Sequence, residues 1–134
     1  MKPRLLIAED NADFALLLAR KAKQEGWTVT CCSDGVELLA ILPSVQEAAL
    51  VLLDINMPNL DGIEVIRELN QSNSSQRFRF CMMTGGDHVN AVAARMIAKA
   101  GDLAICKSLF KPFSMDDFAV FLREQRRILA ETGQ

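Results

Sequence analysis

No run of the ~18 consecutive apolar residues that a membrane-spanning helix needs occurs in the chain. The opening Met1-Lys2-Pro3-Arg4 leads straight into a short apolar run without a small-residue cleavage signal, so neither membrane spanning nor secretion is expected. Neither sign of charge dominates: 15 Lys and Arg stand against 17 Asp and Glu, a net charge of −2. So weak a field excludes recruitment to nucleic acid or anionic membrane by bulk charge, and any partner must be selected by a local surface. CxxC spacing is absent as well. The four cysteines, Cys31, Cys32, Cys81 and Cys106, lack the density of a disulfide scaffold and lie in or beside apolar runs. They read as reduced, mostly buried thiols of a cytoplasmic protein. The sole histidine, His88, falls near a helix start and reads as a surface residue. Arg123, Arg126 and Arg127 lie near a helix carboxyl end, where cations offset the dipole, and no recognition helix or aromatic platform accompanies them.

What is present is hydrophobic content: 50% of 134 residues, enough for one packed core and too little chain for two ordinary domains. Five apolar runs, 4–8, 28–32, 49–53, 78–83 and 103–110, alternate with amphipathic stretches. The first, third and fourth are nearly continuous in apolar residues, as strands covered on both faces require. Asn11 can cap a first helix carrying Phe14, Leu17, Leu18 and Ala22, ended by Gly26. A second helix runs from about Gly35 to Leu42, before Pro43, and a third follows Asp61-Gly62, which reads as turn chemistry that launches it, with Ile63, Ile66 and Leu69 inward. Asp87 can cap a fourth, and Ser114-Met115-Asp116-Asp117 opens a fifth. The pattern predicts a doubly wound α/β domain: a five-stranded parallel sheet with five helices on its two faces.

In such a sheet the ligand crevice lies beyond the carboxyl ends of the strands. Glu9 and Asp10 follow the first strand, Asp54 the third, Thr84 the fourth and Lys111 the fifth. Three converging carboxylates would raise one another's pKa values unless a cation sat among them, and an oxygen-only donor set suits Mg²⁺. A lysine supplies a mobile point charge for a phosphoryl oxygen and a threonine a hydroxyl donor for another. This is the composition of a phosphoryl-transfer site. Lys107 competes for the lysine role but lies within the apolar run and lacks the proline that follows Lys111.

Four separated motifs carry a resemblance to the response-regulator receiver family of two-component signalling. Leu5-Leu6-Ile7-Ala8-Glu9-Asp10-Asn11 resembles its acidic motif, and Leu52-Leu53-Asp54-Ile55-Asn56-Met57-Pro58-Asn59-Leu60-Asp61-Gly62 its phosphorylation strand and loop. Met83-Thr84-Gly85-Gly86 and Phe110-Lys111-Pro112-Phe113 resemble its threonine and lysine motifs. The resemblance implies a single receiver domain over residues 1–134, with the flavodoxin-like strand order 2-1-3-4-5. It implies that Asp54 accepts a phosphoryl group from a phosphohistidine of a sensor histidine kinase or phosphotransfer protein, assisted by Thr84 and Lys111. Mg²⁺ would be held by Glu9, Asp10, Asp54 and the backbone carbonyl of Asn56, and Pro112 would follow a cis peptide bond. The output would be a downstream effector protein or a fused output domain, with a phosphorylation-dependent homodimer compatible and no direct contact to nucleic acid or membrane.

Two departures bear on switching. Ser108 stands where most receivers place an aromatic residue, and ten positions separate Gly101 from Lys111, more than the common family pattern. Two alternatives compete with the signalling module. An aspartate-nucleophile phosphatase generally carries an acid two positions after the nucleophile, where Asn56 stands; a degenerate receiver serving only as a binding module would not be expected to retain every site residue.

Overall fold

Ala49–Asp54 carries no polar side chain before its last residue, and a strand of that composition is stable only when covered on both faces. It forms β3, buried along its whole length, in a computed structural model that describes residues 2–55, 62–70, 77–85, 104–106 and 108–132. β1 (Arg4–Ala8) and β4 (Phe78–Thr84) flank it, and β2 (Thr28–Cys32) lies outside β1. β5 (Ala104–Ile105) and β6 (Leu109–Phe110) both pair with β4. Every pairing is parallel and the order is β2-β1-β3-β4-β5, the doubly wound arrangement expected.

Successive side chains point to opposite faces of a strand, so the sheet feeds two cores. Leu5, Ile7, Leu50, Leu52 and Met83 meet Leu18 and Ala22 of α1 (Ala12–Gln24) and Phe118 and Leu122 of α4 (Met115–Thr132). On the other face Leu6, Val51, Leu53 and Phe80 meet Leu38 of α2 (Gly35–Ile41) and Val65, Ile66 and Leu69 of α3 (Gly62–Asn70). The fourth helix expected from Asp87 onward lies outside the described residues, as do His88 and Lys107. Cys32, Cys81 and Cys106 are buried and Cys31 is exposed. Among the described residues, no helix is long and apolar enough to cross a membrane.

Three expectations change. The fifth strand is not continuous: residues 106–108 separate its two pairings, against only Cys81 and Met82 on β4, so one extra residue is accommodated as a bulge. Leu17 does not face the core; it is 46% exposed, and the buried stripe of α1 is Ala15, Leu18, Ala19 and Ala22. The arginines do not lie at the carboxyl end of their own helix: α4 runs on to Thr132 with no basic residue in its last turn, and Arg123 and Arg126 act on α1. Arg126 Nη1 donates to the Glu25 carbonyl at 3.0 Å, capping the end of α1, and Arg123 pairs with the Glu25 carboxylate at 2.8 and 3.2 Å.

Gly26, with φ +92°, turns the chain from α1 into β2. That left-handed conformation costs a residue with a Cβ ~1–2 kcal/mol. Gly26→Ala is expected to lower unfolding free energy by about that amount in urea denaturation, with an unchanged m-value.

Candidate functional site

The strand ends bring four of the anticipated side chains together. Glu9, directly after β1, is held by its own backbone amide on the Cys32 carbonyl at 3.1 Å and is 3% exposed. Asp54 ends β3 at 5% exposure, and Asp10 is at the surface. Carboxylate oxygens of Glu9, Asp10 and Asp54 lie within 4.8 Å of one another. Lys111 reaches into this group: its Nζ donates to Glu9 Oε1 at 2.6 Å and to Asp54 Oδ2 at 3.3 Å. Thr84, fully buried at the end of β4, accepts the Lys111 amide on its carbonyl at 2.8 Å, tying the two strand ends by backbone. The Lys111-Pro112 bond is cis. Asn56 lies outside the described residues.

The electrostatics follow from burial. Desolvation pushes the Glu9 carboxyl above its ordinary range, and the Asp54 charge adds to this; the Lys111 hydrogen bond and the Asn11 amide, donating to Oε2 at 3.0 Å, offset part of it. Desolvation alone would lower the Lys111 pKa, but the Glu9 hydrogen bond and the Asp54 charge outweigh it and hold it above the ordinary lysine value. Two of the three carboxylates pair with the one ammonium and Asp10 lies beside them, so the crevice retains negative charge that a divalent cation would neutralise. The all-oxygen donor set of Glu9, Asp10 and Asp54 fits a hard divalent cation such as Mg²⁺.

Some features at this site were not anticipated. Asn11, expected only as a helix cap, does cap α1 by accepting the Phe14 amide at 3.1 Å, and it also binds Glu9 through its own amide. Phe14, counted as core, places its ring centroid 4.9 Å from Lys111 Nζ and lies 5.8 Å from the Phe113 ring. Its sequence position, one helical turn after Asp10, is the signal that could have located it. Gly62, expected as turn chemistry, opens α3 and is also required by close approach. A Cβ there would lie 2.8 Å from Ile55 Cα and 3.1 Å from the Asp54 carbonyl, while its amide bonds the Ile55 carbonyl at 2.9 Å.

A doubly wound parallel sheet with an acid cluster and a lysine at its strand ends defines an α/β protein with a charged crevice at the carboxyl edge of its sheet. The chain belongs to the response regulator receiver domain family of two-component systems, whose profile matches residues 5–123. It is 36% identical over 120 residues to the transcriptional regulatory protein TctD of Salmonella typhimurium, covering 90% of this chain and 50% of TctD. It is 34% identical over 128 residues to the sensor protein EvgS of Escherichia coli, covering 95% of this chain and 10% of EvgS. The chain thus spans about half the length of TctD and a tenth of EvgS. The CheY-like receiver domain protein of Methanospirillum hungatei shares the fold, with a TM-score of 0.82 at 20% identity over 99% of this chain and 100% of that one. Full-length FixJ of B. japonicum superposes with a TM-score of 0.80 at 28% identity, covering 96% of this chain and 60% of FixJ.

Because a side chain at position 62 would press on the backbone carrying Asp54, Gly62→Ala is expected to destabilise the protein by roughly 1–3 kcal/mol. Chemical denaturation measures this, and the backbone amide resonances of residues 54 and 55 should shift more than those of residues 49–53.

Proposed function

We propose that the chain is one phosphoacceptor domain, residues 1–134, in which Asp54 takes a phosphoryl group from a phosphohistidine of a sensor histidine kinase or histidine phosphotransfer protein. The observation that carries this reading is the Lys111 ammonium 3.3 Å from Asp54 Oδ2 inside a group of three carboxylates. In the transfer, an Asp54 oxygen attacks phosphorus in line, the P–N bond to imidazole breaks, and the imidazole leaves with that electron pair. Mg²⁺, when bound through Glu9, Asp10, Asp54 and the Asn56 carbonyl, would offset charge on the phosphoryl oxygens. Lys111 donates to one of those oxygens and the Thr84 hydroxyl to another. Positioning and charge neutralisation are the protein's whole contribution.

The domain would not turn over as an enzyme. Asn56 occupies the position two residues after the acceptor where an aspartate-dependent phosphatase would carry its acid. Once phosphorylated, the domain would switch a surface built from the β5–β6 edge and α4 toward an effector protein or a fused output domain. A phosphorylation-dependent homodimer is compatible with that switch. The site of action would be the cytoplasm, without direct binding to nucleic acid or membrane.

Incubation with Mg²⁺ and acetyl phosphate is expected to give one phosphoryl adduct by intact mass, absent in Asp54→Asn and absent when EDTA removes the metal. An adduct that survives Asp54→Asn, or no Mg²⁺-dependent adduct at all, sinks the reading; continuous phosphate release favours a phosphatase. Mass is the suitable readout because Trp27 is 2% exposed and lies at the amino end of β2, at the far end of the sheet from Asp54. Lys111→Ala should slow adduct formation by roughly a hundredfold, as loss of a charge-stabilising donor does.

A further inference from the structure

Lys111 is held by more than its carboxylates. A lysine stem has four rotatable carbons and a compact charge that hydrogen bonds alone hold loosely. Here the ammonium lies 2.6 Å from Glu9, 3.3 Å from Asp54 and 4.9 Å from the centroid of Phe14, on the first turn of α1. The ring is itself braced. Phe14 meets Phe113 edge-on at 5.8 Å and 62°, and Phe113 meets the fully buried Phe118 at 5.8 Å. Asn11 fixes the backbone of Phe14 by accepting its amide at 3.1 Å.

We infer that Phe14 is a positioning residue for phosphoryl transfer: its ring face holds the Lys111 ammonium between Glu9 and Asp54, in reach of the phosphoryl oxygens. This rests on the reading of Asp54 as phosphoacceptor. The chemistry of the contact suits the task. An ammonium has three N–H donors, of which Glu9 and Asp54 engage two. A third carboxylate would take the remaining donor and deepen the negative charge of the crevice. A ring face attracts the cation through its quadrupole without claiming a directed hydrogen bond, so a donor stays available for the incoming group. A leucine at position 14 would fill similar volume without that attraction.

The test replaces Phe14 with phenylalanine analogues bearing one, two and three ring fluorines, which drain the ring face of electron density while nearly preserving shape. Two quantities are measured in Mg²⁺: affinity for beryllofluoride, a phosphoryl mimic, and the rate of adduct formation with acetyl phosphate. Both are expected to fall stepwise with fluorination, by roughly two- to fivefold across the series, with unchanged thermal stability. Phe14→Leu should match the most fluorinated protein, and Phe14→Tyr should stay near the parent. A flat or rising response across the series overturns the role of Phe14 while leaving Asp54 as acceptor, provided the parent binds beryllofluoride. Failure of the parent to bind it overturns the phosphoacceptor reading and this inference with it.

Discussion

The Lys111 ammonium sits between two carboxylates that the fold has removed from water. Glu9 and Asp54 are 3% and 5% exposed, and burying a carboxylate without a partner costs several kcal/mol. The same cation closes the strand ends on one another. Its backbone amide is bonded to Thr84 at the end of β4, while its side chain reaches Glu9 after β1 and Asp54 at the end of β3. Two strand termini therefore share one charge, and a third is tied to the same residue by backbone. Removing that charge would leave two buried anions without their countercharge, a far larger loss than breaking a surface ion pair such as Arg127 with Glu124 or Glu131. Because one ammonium cannot balance three carboxylates, the arrangement that stabilises the fold also leaves a demand for a further cation.

The position of Lys111 depends in turn on the extra residue in the edge strand. Without it, every side chain after the bulge would exchange faces. With it, Leu109 lies opposite Met83 over the core shared with α1 and α4, and Phe110 lies opposite Thr84. The cost appears at Ser108, which is 5% exposed and whose Oγ has no hydrogen-bond partner among the described residues. A buried hydroxyl left in that state costs about 1–3 kcal/mol. A serine also lacks the bulk by which an aromatic side chain at this position would register a movement of Thr84.

The strand ends were legible because burial on both faces leaves a plain mark: an apolar run broken by an acid or a threonine. β1 and β2 accordingly begin and end where composition places them, and β3 and β4 each extend one residue further to include Asp54 and Thr84. The bulge left no such mark. Residues 103–110 are largely apolar throughout, and a register shift belongs to the pairing with β4 rather than to either segment alone. The face of α1 was misjudged at Leu17 for a related reason. Its contact with the sheet is made largely by alanines, whose small side chains allow close approach yet carry little hydrophobic signal. Gly62 and Phe14 share a third cause. Each is explained by a neighbour in space, Ile55 in one case and Lys111 in the other, so the local residue type suggested only a turn and a core position.

α1 links these constraints because both of its ends are fixed. At the first turn, Asn11 binds Glu9 and caps the helix, and Phe14 lies against Lys111. At the last, Arg126 and Arg123 of α4 hold the Glu25 carbonyl and carboxylate. A helix held at both termini, with alanines packed against the sheet between them, has little room to slide, since interiors at native packing density resist displacement. Aromatic side chains connect the Lys111 end of this helix to α4. The nearest are Phe14 and Phe113, and beyond them Phe118 and Phe121, whose rings lie 6.2 Å apart at the start of α4. The aromatic contacts thus run without a break from the first turn of α1, beside Lys111, to the first turns of α4.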